Sequence, residues 1–428
     1  MKKITFDQLQ EELYYEKLEN GLDVYILPKK GFNKTYATFT TKYGSVDNTF
    51  VPLNKNEFIT VPDGIAHFLE HKLFEKEDGD VFQQFSRQGA SANAFTSFTR
   101  TAYLFSSTSD VELNLETLIN FVQDPYFTEK TVEKEKGIIG QEITMYDDNP
   151  DWRLYFGLIE NLYQNHPVKI DIAGTIESIS EITKDMLYEC YYTFYHPSNM
   201  LLFVVGPVDP KKIMNQIIAN QSKKTYHNQP EIKRQFPDEP KESAEKKKVL
   251  KMNVQTSKCL FGIKALDVNQ SGEQMLKKEL TINVMLDVLF GKSSNNYHEL
   301  YNEGLIDDTF SYDYTQEQGF GFAMVGGDTN DPDKLAEKLE KMFINAKEGN
   351  IFTEENLERA KRKKIGSFLR AINSPEYIAN QFTRYAFNDM NLFDVVPTLE
   401  SITLNDVKKV ADTFIAEERF SVCQVVPK

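Results

Sequence analysis

The chain has 428 residues, a formal net charge of −15 at pH 7, and a composition that is 40% hydrophobic and 12% aromatic. This length and composition are sufficient for more than one hydrophobic core. The acidic balance argues against nucleic acid or an anionic membrane as the main partner, because both select a basic surface.

Membrane insertion and disulfide formation are also disfavoured by the sequence. No stretch approaches the roughly 18 apolar residues of a membrane span, and residues 1–7 lack the apolar core of a secretory signal. We therefore expect a cytoplasmic protein without a membrane span. The three cysteines, Cys190, Cys259 and Cys423, are far apart in the sequence, which predicts reduced core thiols rather than a disulfide framework or a C-x-x-C metal site.

Short strands and helices alternate in the first hundred residues. Alternating apolar residues predict strands within 13–28 and over 35–43. A turn then leads into a short helix over 64–71, and a second helix over 82–89 ends at a glycine. Residues 90–105 alternate again and are rich in Thr and Phe, which predicts a β-hairpin.

Two longer helices and a buried strand follow. Apolar residues at helical spacing predict one helix over 111–124, and a second is predicted over 128–147, with acidic residues in its first turns. Residues 201–206 form a continuous apolar run that ends in glycine, which is typical of a buried strand.

The order of elements repeats in the second half of the chain. Residues 228–248 combine prolines with Glu, Lys and Ser and have almost nothing to bury, which predicts a linker. Beyond it the succession of strand, helices, strands, helices and a last strand begins again. The sequence thus predicts an α+β fold with two similar domains, 1–227 and 249–428.

The segment 64–71 contains the strongest functional motif of the chain. His67 and His71 are four residues apart, so a helix places both imidazoles on one face, where they can bind one cation. Glu70 lies beside the pair and completes an H-x-x-E-H pattern of inverted zinc peptidases. The alternative is a helix whose histidines are hydrogen-bonded in a core or at the surface and whose glutamate is solvated.

A catalytic zinc needs three protein ligands and an open position for water, so a third ligand is required. His166 and His196 each precede a proline and are better explained as structural turn residues. A carboxylate on a following helix would complete a His₂Glu set. Glu135 and Glu142 are the candidates, and because they are seven residues apart on one helix face, spacing alone does not choose between them.

The motif and its surroundings resemble the M16, or pitrilysin-like, zinc metallopeptidase family, and in particular its short bacterial members. The resemblance covers nearly the whole chain and rests on these segments: 67–71, the pair Glu135 and Glu142, 93–96, 173–179 and 195–200. It implies two homologous M16-type domains, each a mainly antiparallel sheet covered by helices. The N-terminal domain would bear the metal, and the C-terminal domain would not.

The resemblance also implies roles for individual residues. One Zn²⁺ per chain would be bound by His67, His71 and Glu142, and Glu135 would steady a ligating imidazole. Glu70 would take a proton from the zinc-bound water and deliver it to the leaving amine. An extended peptide substrate would pair with the strand that contains Asn93, Ala94, Phe95 and Thr96.

The expected function is therefore that of a zinc-dependent endopeptidase that hydrolyses extended or unstructured peptides, in processing or clearance. The alternative is a non-catalytic M16-like scaffold or interaction subunit. The complete H-x-x-E-H motif together with Glu142 favours the enzyme, because a scaffold has no physical need for all four groups.

The chain departs from the family in its second half. Active members use an Arg and a Tyr from the C-terminal domain to bind the substrate backbone, but here Tyr301 and Asp307 align with those positions. Neither residue can supply a guanidinium charge or a phenol donor in the required place. This departure predicts a heterodimer with a homologous chain that carries the Arg/Tyr pair, with a homodimer as the other assembly considered.

Overall fold

The computed structural model describes residues 1–77, 79–348 and 351–428. These residues form two units, each built around one large β-sheet. The first unit contains residues 1–143, 171–236 and 371–387, and the second contains 144–170, 237–370 and 388–428.

The strands of the described residues are, in chain order, β1 Lys2–Phe6, β2 Glu11–Lys17, β3 Asp23–Pro28, β4 Thr35–Thr41, β5 Thr49–Phe50, β6 Ile59–Thr60, β7 Glu75–Lys76, β8 Gly79–Asp80, β9 Ala90–Thr96, β10 Thr101–Ser107, β11 Met200–Gly206, β12 Lys247–Met252, β13 Ser257–Lys264, β14 Ser311–Glu317, β15 Phe320–Thr329 and β16 Phe420–Pro427. The predicted hairpin is thus β9 and β10, in which Thr96 pairs with Thr101 across the turn.

The helices are, in the same order, α1 Ile65–Leu73, α2 Val81–Arg87, α3 Val111–Val122, α4 Glu129–Asp147, α5 Pro150–Leu162, α6 Ile176–Ser180, α7 Lys184–Phe194, α8 Pro210–Gln221, α9 Gly272–Phe290, α10 Asn295–Asn302, α11 Pro332–Ala346, α12 Glu354–Ala371, α13 Pro375–Phe387, α14 Val395–Ser401 and α15 Leu404–Phe414. Local sequence explains where many of them begin. Thr175 and Thr403, for example, each form a capping box at the start of α6 and α15.

The sheet of the first unit has seven strands in the order β1-β2-β3-β11-β4-β10-β9. Every neighbouring pair is antiparallel except β3 and β11. Strands β4 and β11 lie in the interior of the sheet and are completely buried, in agreement with the apolar run at 201–206. Strand β9 is at the edge, so only one of its sides pairs within this sheet.

The sheet of the second unit repeats part of this arrangement. Its order is β12-β16-β13-β15-β14, and again only one pair, β12 and β16, is parallel. The order matches β3-β11-β4-β10-β9 strand for strand, with two helices before the edge strand in each case: α1 and α2 in the first unit, α9 and α10 in the second. The prediction of two similar domains with mainly antiparallel sheets is confirmed.

The two units are not consecutive halves of the chain. Helix α5 belongs to the second unit, where it packs on β13 and β16, and α13 belongs to the first, where it packs on β4 and β11. Both helices follow the long helix after the hairpin, so the exchanged pieces hold equivalent places in the repeat. The predicted domains 1–227 and 249–428 did not include this exchange, because periodicity reveals an apolar face but not the sheet that it covers.

The predicted linker 228–248 is irregular in backbone but well anchored. In the first unit the Arg234 guanidinium donates to Asp47 at 2.7 Å. In the second unit Glu239 accepts from the fully buried Lys264 ammonium at 2.5 Å. The boundary between the units follows Phe236, inside the predicted linker, and β12 begins at Lys247, one residue before its predicted end.

Candidate metal centre

The backbone is closely packed at the start of helix α1. Gly64, which precedes the helix, has a φ of 87°, and a Cβ at this position would lie 2.3 Å from the carbonyl oxygen of Ala173. Only glycine fits such a position. Within the helix, Phe68 and Leu69 are completely buried, and their burial fixes the rotation of the helix about its own axis.

The structure brings together one ligand atom each from His67, His71 and Glu142, all within 4.8 Å of one another. Glu142 Oε2 lies 3.8 Å from His67 Nε2 and 3.5 Å from His71 Nε2. Zinc bonds of about 2.0–2.1 Å in tetrahedral geometry separate two ligand atoms by about 3.4 Å. The two imidazoles and the carboxylate therefore fit the donor set and the spacing of a zinc site.

Helix α4 supplies the carboxylates at this site. Its buried stripe consists of Val132, Glu135, Ile139 and Ile143, so Glu135 faces the interior. Glu142 lies two turns further along on the same side, as the spacing predicted.

The two glutamates contact different nitrogens of His71. Glu135 Oε1 lies 3.1 Å from Nδ1, and because a carboxylate only accepts, Nδ1 must carry the proton of this hydrogen bond. Glu142 faces Nε2 instead. The arrangement leaves Nε2 of His71 on the side of Glu142, where it could bind a cation, and places Glu135 at the opposite nitrogen of the same ring.

Charges around His71 and Glu135 support this pairing. Burial lowers the pKa of His71, but the hydrogen bond with Glu135 and the charges of nearby carboxylates outweigh it, so the pKa is raised. Burial conversely raises the pKa of Glu135, and the hydrogen bond and charge of His71, together with the Lys72 charge, bring it below its ordinary value. Lys72 is completely buried, with its Nζ 3.9 Å from Glu135 Oε2.

His67 is the more deeply buried imidazole. Burial, with a smaller contribution from the neighbouring His71, lowers its pKa to about 4. His67 is therefore neutral at pH 7, which is the form that binds a metal.

Glu70 is also buried but lies outside the group of ligand atoms. The Thr96 hydroxyl donates to its Oε2 at 2.5 Å. Burial raises the pKa of Glu70 to about 7, although the Thr96 hydrogen bond and the His71 charge oppose the shift. A carboxylate with a pKa near the working pH is suited to general acid–base chemistry.

The edge strand β9 runs beside α1. Tyr103 and Leu104 of β10 pair with Ala94 and Asn93, and the opposite side of β9 has no partner strand among the described residues. The Asn93 side chain accepts a hydrogen bond from the backbone N–H of Ala94 at 2.9 Å. Phe95 lies under the Arg100 guanidinium, whose carbon is 5.8 Å from the ring centroid.

A cavity of about 680 Å³ opens next to Glu70, His71, Asn93 and Ala94. One wall is aromatic, because Phe74 and Phe82 stack with ring centroids 4.1 Å apart. The other lining residues are Ile138, Gly79 and the charged side chains of Glu75, Lys76, Glu77, Asp80, Lys134 and Glu135.

Sequence reasoning missed Lys72 and the two aromatic residues of the cavity. Phe74 follows His67 by seven residues, which is about two helical turns. This spacing indicates that Phe74 lies on the same side as His67. Lys72 gave no signal, because an isolated lysine in a helix is usually solvated.

The fold and the site together define a metallopeptidase-like protein of two homologous domains. Residues 61–176 match the family model described as insulinase (peptidase family M16), and residues 181–364 match that of the peptidase M16 inactive domain. Over its whole length the chain is 69% identical to all of the uncharacterized zinc protease YmfH of Bacillus subtilis. The chain belongs to the M16 family.

Two further relatives agree with this assignment. A crystal structure of an M16-like protein from Alicyclobacillus acidocaldarius superimposes with a TM-score of 0.94 at 39% identity, covering 98% of this chain and 99% of that one. The uncharacterized zinc protease YmxG of Bacillus subtilis is 26% identical over 83% of this chain and 87% of its own. The family resemblance seen in the sequence is thus confirmed.

In the described part of the chain, no helix has the length and apolar character of a membrane span.

Proposed function

We propose that the chain is a zinc endopeptidase that hydrolyses extended peptides. The observation that carries this proposal is the convergence of His67, His71 and Glu142 beside a buried Glu70. One zinc ion held by the three ligands would supply an activated water at neutral pH. The names of the relatives, zinc proteases, support the same chemistry.

The protein's own residues orient the His71 imidazole and transfer the proton of the water. Glu135 holds His71 through Nδ1, so that Nε2 remains available as a ligand. Glu70 takes the proton of the attacking water and returns it to the leaving amine, because Glu70 lines the same cavity as His71 but is not one of the three ligands.

The substrate binds as an additional strand along β9, and Asn93, Ala94, Phe95 and Thr96 supply the backbone edge. This requires the Asn93 side chain to leave the Ala94 N–H, which it occupies in the free protein. The adjacent cavity then receives a side chain near the scissile bond, and its Phe74–Phe82 wall suits a large apolar one.

A homologous chain that carries the Arg/Tyr pair completes the substrate site in a heterodimer. Two residues of this chain, Tyr301 and Asp307, stand where the pair is expected and cannot replace it. Tyr301 is 55% exposed and stacks on Tyr297, and the Asp307 carboxylate accepts from both the backbone N–H and the hydroxyl of Thr309. The cytoplasmic location predicted from the sequence remains a prediction.

The experiment is digestion of a peptide library by the zinc-loaded chain, with products identified by mass spectrometry, alone and with the homologous chain. We expect cleavage that increases well above the level of either chain alone, and a sedimentation mass near twice 49.4 kDa. Full activity of this chain alone, unchanged by the partner, would refute the heterodimer. A zinc-loaded pair that cleaves nothing would instead support the non-catalytic scaffold.

A further inference from the structure

Thr96 belongs to the predicted substrate strand, but its side chain contacts the proposed general base. Its Oγ1 lies 2.5 Å from Glu70 Oε2, and Glu70 is only 8% exposed. The backbone of Thr96 meanwhile pairs with Thr101 of β10. The hydroxyl therefore projects from an anchored strand toward a buried carboxylate.

The protons of the neighbouring hydroxyls determine the direction of this hydrogen bond. Thr101 is completely buried and donates its single proton to the carbonyl oxygen of Tyr43 at 2.9 Å. Its oxygen lies 3.3 Å from Thr96 Oγ1 and can only accept from it. Since Glu70 Oε2 is the nearer acceptor, the Thr96 proton goes to Glu70.

This contact makes the two oxygens of Glu70 different. Oε2 accepts a hydrogen bond from the Thr96 hydroxyl, which lowers its basicity, so Oε1 is the more basic oxygen for the water proton. Glu70 directly precedes the ligand His71 in α1, and a small rotation of the carboxylate therefore changes its distance to any water at the metal site. Misplacement of a reacting group by about 1 Å can cost about 100-fold in rate.

We propose that Thr96 is a positioning residue that holds the Glu70 carboxylate in its reactive orientation. This inference rests on the proposed function. During turnover the water proton goes to Oε1 of Glu70 and then to the leaving amine, while Thr96 keeps its own proton and donates to Oε2 throughout. Thr96 thus acts through Glu70, and its side chain makes no substrate contact.

The test compares Thr96→Val, which removes the hydroxyl with little change of shape, with Thr96→Ser, which keeps it. We expect Thr96→Val to lower kcat by about 10- to 100-fold and to leave KM and the zinc content near wild type. Thr96→Ser should stay within a few-fold of the wild-type kcat. Thr256→Val, at an exposed position between β12 and β13 of the second unit, is the matched control and should change neither constant.

A second measurement needs neither zinc nor substrate. Thermal unfolding of the metal-free protein is compared for wild type, Thr96→Val, Glu70→Gln and the double variant. Thr96→Val should lower Tm by more in the wild-type background than in the Glu70→Gln background, because a neutral amide oxygen is a weaker acceptor than a carboxylate. Equal shifts in both backgrounds would show that the two side chains are not coupled.

Three kinetic outcomes would overturn the inference. These are a wild-type kcat in Thr96→Val, a raised KM with unchanged kcat, which marks a substrate contact, and equal losses in the Val and Ser variants. A zinc-loaded wild type without peptidase activity would refute the proposed function instead, and the unfolding comparison would still decide whether Thr96 holds Glu70.

Discussion

The two repeats place different chemistry at topologically equivalent positions. In the first unit α1, α4 and the edge strand β9 surround the His67, His71 and Glu142 ligand atoms. The corresponding elements of the second unit are α9, α12 and β14, and they contribute Asp287, Lys363 and Tyr312. There the buried Asp287 accepts from the Lys363 ammonium at 2.5 Å and from the Tyr312 hydroxyl.

The comparison shows how one scaffold can present either a possible metal-binding group or an internal ion pair. A lysine ammonium has three donors and no acceptor, so it cannot bind zinc, but it neutralises the Asp287 carboxylate within the protein. Lys364 adds a second positive charge over the Tyr312 ring, 5.5 Å from its centroid. We infer that both units set a buried lysine or a lysine ammonium against a buried acid, Lys72 near Glu135 and Lys363 at Asp287, but that only the first unit adds a His67, His71 and Glu142 group that a metal cation would bind.

The largest effect should come from removing a zinc ligand. His71→Ala leaves one imidazole and one carboxylate, which cannot compete with buffer chelators, so we expect loss of both zinc and peptidase activity. His298→Ala, in α10 of the second unit, is the matched control and should retain one zinc per chain. Elemental analysis after mild purification measures this. A wild-type protein that binds no zinc and gains no activity when zinc is added would contradict the assignment.

Glu70→Gln should separate metal binding from chemistry. Gln has nearly the shape of Glu but cannot accept a proton at neutral pH, so we expect full zinc content and a kcat lower by about 10²–10⁴-fold. Glu133→Gln, at a largely exposed position of α4, controls for the change of charge. The measurement is steady-state cleavage of a quenched peptide, and retention of more than about half of the rate would place the base elsewhere.

The sequence predicted helix α1 and the pairing of its two histidines, because the H-x-x-E-H spacing depends only on local helical geometry. The family resemblance then indicated Glu142 as the third ligand. Spacing alone left it equivalent to Glu135, because seven residues are two turns of one face. Only the tertiary structure shows that Glu142 faces Nε2 of His71 and Glu135 faces Nδ1. The same limit applies to Thr96: alternation predicted its strand, but not the carboxylate that its side chain contacts.

A smaller effect is expected at the edge strand. Ala94→Pro removes the backbone N–H that Asn93 occupies in the free protein, and a paired substrate could no longer accept from it. We expect peptide cleavage to fall by about tenfold, because the lost hydrogen bond to the substrate is worth about 1 kcal/mol. Zinc content and unfolding temperature should stay close to wild type. Ala94→Ser retains the N–H and should cleave normally. Normal cleavage by the proline variant would assign the substrate to another strand.

The smallest effect concerns the second unit, whose stability should depend on pH through a histidine remote from the ligands. His166 is buried, and its Nδ1 accepts from the Val168 N–H at 3.1 Å. Burial lowers its pKa from 6.5 to about 4, with the charge of Glu239 opposing the shift.

Because the folded pKa is the lower one, the unfolded chain binds the proton more readily. The stabilising contribution of neutral His166 is therefore complete above pH 6.5 and is lost as the pH falls toward 4. The shift corresponds to at most about 3 kcal/mol. His166→Asn can still cap the turn at Pro167–Lys169 but does not titrate, so its urea midpoint should fall less than that of wild type between these pH values. Parallel pH profiles of the two proteins would show that His166 does not titrate on unfolding, and that the acid sensitivity of the fold arises at other groups.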